Sequence, residues 1–238
     1  MGDRLRIGEI EVDVVFKDVK NVHLSVYPPN GHVRITAPQR MSADTVRVFA
    51  ISKIDWIRRQ QRKLRVQERE TPREYLERES HFVWGKRYLL QVVEDNGPAR
   101  IELKHNTMVL RIRPGTDPTK RQEIVESWYR EQVQRALRPL LAKWESRVGV
   151  KARRLFVRRM KTKWGSCNVD SGNIRLNTDL AKKPPECLEY VVVHELVHLL
   201  EPTHNARFSA FMDRLLPHWQ VFQKELNSLP LRHEEWGL

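Results

Sequence analysis

The chain of 238 residues is poor in cysteine, with Cys167 and Cys187 as its only two. That excludes a disulfide framework, so a packed core must hold the fold, and a cytoplasmic setting is expected. It also lacks a run of about 18 apolar residues, the length a membrane span needs, and no membrane association is expected. The opening Met1-Gly2-Asp3-Arg4-Leu5-Arg6 has no apolar stretch of signal-peptide type. Arg6 stands where a myristoylation motif has Ser or Thr. Acidic residues are in the minority, 30 against 43 Lys and Arg, which leaves a net charge of +13. Such a balance favours polyanionic neighbours, nucleic acid or nucleoprotein among them. No internal repeat and no low-complexity segment is visible.

What the chain does contain is enough for a real core. A hydrophobic content of 40% beside 31% charged residues describes a folded, polar protein, of one large domain or two small ones. Two basic runs carry much of the charge, Arg58-Arg59-Gln60-Gln61-Arg62-Lys63-Leu64-Arg65 and the segment from Lys151 to Lys163. Charge runs are commonly solvated faces. The second run lies directly upstream of the residues that carry the chemistry, where it can steer acidic or nucleic-acid-bound substrates. There is no recognition-helix signature and no aromatic stacking motif, so a sequence-independent association with DNA or nucleoprotein is the form expected.

Hydrophobic periodicity gives the order of elements. Residues 7 to 37 alternate as strands, with a turn at Pro28-Pro29-Asn30-Gly31. Ser42 opens a helix whose apolar set runs from Val46 to Leu64. A polar linker, 67 to 80, precedes strands over 82–94 and 99–113, which Asp95-Asn96-Gly97-Pro98 separates. A long amphipathic helix is expected over 118–148, then two short strands, 154–159 and 172–176, a helix over about 185–200, a helix over 206–216 and a short tail helix after Pro217. The fold class is therefore α+β, with a β-rich N-terminal half before a helix, β-hairpin, helix, helix core. The expected division falls at Pro114-Gly115-Thr116-Asp117-Pro118, giving a β-rich region 1–117 with one helix and a core 118–238.

The most informative segment is His194-Glu195-Leu196-Val197-His198, with His204 six residues further on. Residues four apart project from one face of a helix, so His194 and His198 can offer two imidazoles to one zinc ion. Glu195 sits one position round, within reach of a water on that metal. Pro202 disfavours helix at Glu201, and the chain must turn where His204 can return as third ligand. Three protein ligands leave a fourth position open, the mark of a catalytic rather than a structural zinc site.

Upstream stand Lys163-Trp164-Gly165-Ser166-Cys167 and, after a turn, Asn173-Ile174-Arg175-Leu176-Asn177. A strand beside the metal can hold an extended substrate by main-chain hydrogen bonds, so Trp164, Gly165, Ser166, Asn173 and Ile174 are the candidate substrate-binding residues. Cys167 as a fourth ligand would close the site; it reads better as a buried free thiol, as does Cys187. His218 and Arg207 follow the third ligand closely and are candidates for steadying an oxyanion.

These motifs carry a resemblance. The HExxH segment, His204 and Phe208 are similar to the C-terminal block of the YgjP-like metallopeptidases, relatives of the SprT-like and WLM proteases among the gluzincin-type zincins. The block Arg159 to Cys167 resembles the family's Trp-Gly-Ser-Cys block, and Asn173 to Leu180 the strand after it. Tyr190-Val191-Val192-Val193, Trp56-Ile57 and Phe82 to Tyr88 also fit, so the likeness spans about residues 20 to 228. It implies a zincin-like core, zinc on His194, His198 and His204, and Glu195 as general base. The SprT-like and WLM relatives act on proteins attached to DNA, which is analogy and assigns no substrate. The ligand spacing also matches metzincins and a class of zinc endoribonucleases. Metzincins, however, have Gly where this chain has Glu201, and those nucleases lack the acid found here at Glu195.

The expected activity is hydrolysis of peptide bonds in a protein or peptide substrate by a zinc-bound water, with Glu195 as base. Two other classes stay open: a zinc-dependent nuclease or other hydrolase, and a non-catalytic nucleic-acid-binding protein that keeps zinc for stability.

Overall fold

The computed structural model describes residues 3–27, 31–66, 69–70, 79–160, 163–228 and 231–232. The residues of the turn at 28–30 and most of the linker at 67–80 lie outside that set. The chain forms two compact units, Met1–Pro72 with Leu229–Leu238, and Arg73–Ser228.

In the first unit, β1 (Asp3–Ile7), β2 (Ile10–Lys17), β3 (His23–Tyr27) and β4 (His32–Pro38) form a sheet of order β1-β2-β4-β3. β1 and β3 run antiparallel to their neighbours, while β2 and β4 are parallel. Val12, Val14, Val33, Ile35 and Ala37 alternate onto one face and pack with Val46, Ala50 and Ile57 of two helices. Those helices are α1 (Ala43–Ser52) and α2 (Ile54–Val66), where the sequence reads as one. Ser42 caps α1 by accepting the Thr45 N–H at 3.2 Å, and Lys53 ends it by turning its own N–H to Ala50 at 3.1 Å. The apolar spacing runs across that break, which is why periodicity alone does not show it. A short parallel pair, β5 (Arg69–Glu70) with β13 (Leu231–Arg232), completes this unit.

The second unit begins with β6 (Ser80–Val83), β7 (Lys86–Glu94), β8 (Arg100–Lys104) and β9 (Thr107–Ile112). Their order is β6-β7-β9-β8, with β7 and β9 parallel and the outer strands antiparallel. This repeats the topology of the first sheet, a repeat that the sequence does not announce. Each expected long strand is in fact a hairpin. Trp84 (φ 49) and Gly85 (φ 77) turn the chain in the first, and His105 (φ 45) in the second.

Next comes α3 (Pro118–Val148), as its sequence predicts. Asp117 accepts the Lys120 N–H at 3.0 Å, Pro118 takes the first turn, where no N–H is needed, and Gly149 closes the helix in the left-handed conformation at φ 78. Its buried Val125, Tyr129, Val133 and Leu137 share one core with Leu90, Met108, Leu110 and Ile112 of the sheet. The division expected at 114–118 is therefore corrected: that segment is the turn and cap joining β9 to α3 inside one core, and the units part near residue 72.

The rest of the unit is β10 (Arg154–Arg158), β11 (Gly165–Asn168), β12 (Asn173–Asn177), a 3-10 turn (Thr178–Lys182), α4 (Pro185–Val197), α5 (Ala206–Leu215) and α6 (Trp219–Ser228). The three strands are ordered β10-β12-β11. The hairpin of the core is made by β11 and β12, which are antiparallel. β10, expected as its first strand, pairs parallel to β12 instead. The α+β class and the order of helix, hairpin, helix, helix are those expected. Among the described residues no helix is long and apolar enough to cross a membrane.

Candidate metal centre

Pro184 and Pro185 start α4 without a side-chain cap. Cys187, Leu188, Val191, Val192, Val193, Leu196 and Val197 are buried around it, so the helix is held by packing on nearly every side and its position is fixed to within the core. His194 and His198 project from its last turn. The chain then turns through Glu201, Pro202 and Thr203, and Asn205 caps α5 by accepting the Phe208 N–H at 3.0 Å. That cap places His204 back against α4. Its Nε2 faces His194 Nε2 at 3.0 Å, and one ring nitrogen from each of His194, His198 and His204 lies within 4.8 Å of the others.

The rings are steadied from outside. His198 Nδ1 stands 3.1 Å from the Glu201 carbonyl, so a proton on Nδ1 donates there and leaves Nε2 with its lone pair inward. His194 Nδ1 lies 3.4 Å from the Tyr190 hydroxyl. Phe208 packs against all three rings, with centroids 4.8 to 4.9 Å away. Burial, helped by His198 and His204, pushes His194 down to about 3, and burial also lowers His198. Neutral imidazoles are the ligand form.

Glu195 has only 5% of its surface exposed. Burial pushes its carboxyl up to about 8, against the opposing pull of the Lys163 charge and the Cys167 backbone N–H. Its Oε2 has no hydrogen-bond partner, an expensive arrangement for a buried carboxylate unless another group uses it. Gly165 makes this approach feasible: a Cβ there would lie 2.5 Å from Glu195 Oε1. Three imidazoles converging beside such a carboxyl are a donor set that fits a divalent transition-metal ion.

A cavity of about 220 Å³ opens beside Glu195, lined by Lys163, Trp164, Gly165, Tyr190, His194 and, from α6, Gln223. Of the expected substrate residues, Trp164 and Gly165 line it, while Ser166, Asn173 and Ile174 do not. β12 is the central strand, paired along both edges, and Ile174 is buried in the core. The expectation that the strand at 172–176 takes an extended substrate is therefore corrected; the edge strands of this sheet are β10 and β11, and it is β11 that brings Gly165 to the cavity. Cys167 is outside the histidine cluster, and burial with the nearby Glu195 charge pushes its thiol up to about 11. Arg207 turns towards Glu201 at 4.0 Å and over the Phe211 ring, and neither it nor His218 lines the cavity.

Sequence reasoning missed Tyr190 and the α6 residues. Tyr190 stands one helical turn before His194, so its spacing was a usable signal. Gln223, Leu226 and Asn227 arrive by tertiary packing alone, and nothing local marks them.

A comparison with curated proteins finds no match. Among solved structures, the chain is similar to the metallopeptidase zymogen abylysin of Pyrococcus abyssi, at 20% identity and a TM-score of 0.35, over 37% of this chain and 89% of that one. The family model of the YgjP-like metallopeptidase domain matches residues 20–229, a span that holds the histidine cluster, the buried acid and both strands of the hairpin. By that match the chain belongs to the YgjP-like metallopeptidase family.

Proposed function

We propose that this metallopeptidase uses zinc held by His194, His198 and His204, and that Glu195 is its general base. The observation that carries the reading is the buried Glu195 oxygen without a hydrogen-bond partner, next to three converging imidazoles. Zinc at such a site lowers the pKa of water to about 7 and polarises a carbonyl. Glu195 takes the proton of the attacking water and passes it to the leaving amine. Its burial favours holding a proton between those two transfers. The Tyr190 hydroxyl and the Glu201 carbonyl orient the ligand rings, as outer hydrogen bonds do in metal sites. Both edges of β12 are paired, and of the two edge strands β11 reaches the cavity through Gly165, so β11 is the strand to which an extended peptide adds by main-chain hydrogen bonds. The Trp164 and Tyr190 side chains then flank the peptide in the cavity.

The test is Glu195→Gln. The variant is expected to keep its metal and its fold while casein hydrolysis falls by ~100-fold or more, the scale of a lost general base. Labelled RNA, run in parallel, is expected to stay intact. Full activity of the variant, or RNA cleaved in place of casein, contradicts the proposal.

A further inference from the structure

The sheet of β10, β12 and β11 has two unlike faces. One faces the core through Leu155, Val157, Ile174 and Leu176. Alternate residues of a strand share a face, so the other face carries Arg154, Phe156 and Arg158, all three exposed. The register sets Arg175 directly beside Phe156, and Ser166 beside Arg175. Phe156 leaves 40% of its surface in solvent. Arginines thus stand about 7 Å before and after the ring along β10, and about 5 Å across the sheet.

Among the described residues no acidic side chain pairs with this patch. No strand residue on that face is acidic, and among the described residues none of Arg154, Arg158 and Arg175 makes an ion pair. The adjacent Arg159 is different: Glu126 Oε1 holds it at 3.2 Å. The nearest acid in the hairpin turn, Asp170, lies at the tip between β11 and β12.

We propose that this face binds single-stranded nucleic acid, with Phe156 stacking on a base and Arg154, Arg158 and Arg175 contacting phosphates. Three features favour that occupant over an acidic polypeptide. An acidic chain would pair with the arginines but leave the ring unused, whereas every base has a face that stacks on an aromatic. All three cations are arginine, whose planar fork matches phosphate and stacks on rings. The face is a sheet surface, the form on which unstacked bases are laid out by other single-strand readers. In the sequence, Phe156 passes for one more apolar residue of a short strand; only the register shows it on the arginine side.

Binding of a labelled oligothymidylate to the full-length protein, followed by fluorescence anisotropy, tests the proposal. Three phosphate contacts predict that log affinity falls with log salt at a slope of about −2. Phe156→Ala, which only trims an exposed ring, is expected to weaken binding by about tenfold, within the range for one lost stack, with an unchanged salt slope. Arg154→Gln, Arg158→Gln and Arg175→Gln together are expected to flatten the slope. As a control, Arg130→Gln, Arg135→Gln and Arg138→Gln together on α3 remove equal charge and are expected to leave the affinity within twofold. Melting temperature and hydrolysis of a small peptide are followed for every variant, so a damaged fold is seen directly. Three results overturn the proposal: no binding at low salt, equal loss in the α3 control, or full affinity in Phe156→Ala. Polyglutamate that competes as well as the oligonucleotide, with Phe156→Ala indifferent, assigns the face to an acidic protein instead.

Discussion

The sheets β1–β4 and β6–β9 share a strand order, a parallel central pair and two antiparallel flanks. Each starts with a hairpin whose turn needs a glycine at positive φ, Gly8 at 61° and Gly85 at 77°. The turns meet different surroundings. A Cβ on Gly8 would find nothing within 4 Å, whereas one on Gly85 would meet Pro184 Cγ at 3.1 Å. Beside it the Trp84 N–H donates to the Ala181 carbonyl at 2.8 Å and the Gly85 N–H to the Lys182 carbonyl at 3.4 Å. Pro184 is the residue from which α4 starts. The second hairpin is thus a brace for the helix that carries His194, Glu195 and His198. A repeated topology need not repeat a role; what the turn touches decides it.

Matched substitutions in the two sheets give the largest expected contrast. Ile35 and Ile112 stand in the last strand of each and are buried to 0% and 1%. Ile35→Ala and Ile112→Ala are each expected to destabilise their own unit by about 2–5 kcal/mol. Only Ile112→Ala, whose core includes α4, is expected to weaken metal binding and peptide hydrolysis as well. Thermal unfolding with a parallel metal titration checks this, and equal loss of metal affinity in both variants breaks the comparison.

A smaller contrast lies in the turns. Gly8→Ala and Gly85→Ala each force a left-handed alanine, at a cost of about 1–2 kcal/mol. Gly85→Ala must also displace Pro184, so it is expected to cost more and to raise the KM for a peptide substrate, while Gly8→Ala leaves kinetics unchanged. Steady-state kinetics of the two variants decide whether the brace reaches the site.

The smallest effect concerns the tie between α3 and α4. The Glu189 carboxylate accepts from Lys143 Nζ at 2.6 Å and from Trp144 Nε1 at 2.8 Å. Partial burial pushes this carboxyl up, but those two hydrogen bonds outweigh it and hold the group below its ordinary value. A carboxyl depressed in the folded state contributes stability that is present above its unfolded pKa and is lost as pH falls through the folded one. Glu189→Gln is therefore expected to destabilise by about 0.5–1 kcal/mol at pH 7, modest because solvent screens the pair. The gap should start to close below about 4.3, the ordinary glutamate value, and narrow further as pH falls through the lower folded one. Melting curves at pH 7 and pH 4 measure it, and a gap that widens in acid contradicts the sign.

The long helix α3 was legible from end to end because Asp117, Pro118 and Gly149 are local signals that say where it starts and stops. The histidine spacing was legible for the same reason, since one helical turn and one proline set it. Pairing was not legible. The residues of β10 and β12 read as neighbours in a hairpin, yet only tertiary contact shows them parallel, with β12 in the centre between β10 and β11. The repeated sheet stayed hidden because its strands keep the alternation of apolar residues without keeping the residues themselves. The α6 wall of the cavity carries no signal of its own, since its residues acquire their place through packing against α4.

The account rests above all on His204 closing a three-histidine site that His194 and His198 begin. Its most direct measurement is zinc content and zinc affinity of the wild type and of His204→Ala, on protein shown to be folded by circular dichroism. The account predicts one zinc per chain in the wild type and a sharp loss of affinity in the variant, with peptide hydrolysis falling in step. A folded His204→Ala protein that keeps full zinc content and wild-type affinity contradicts it.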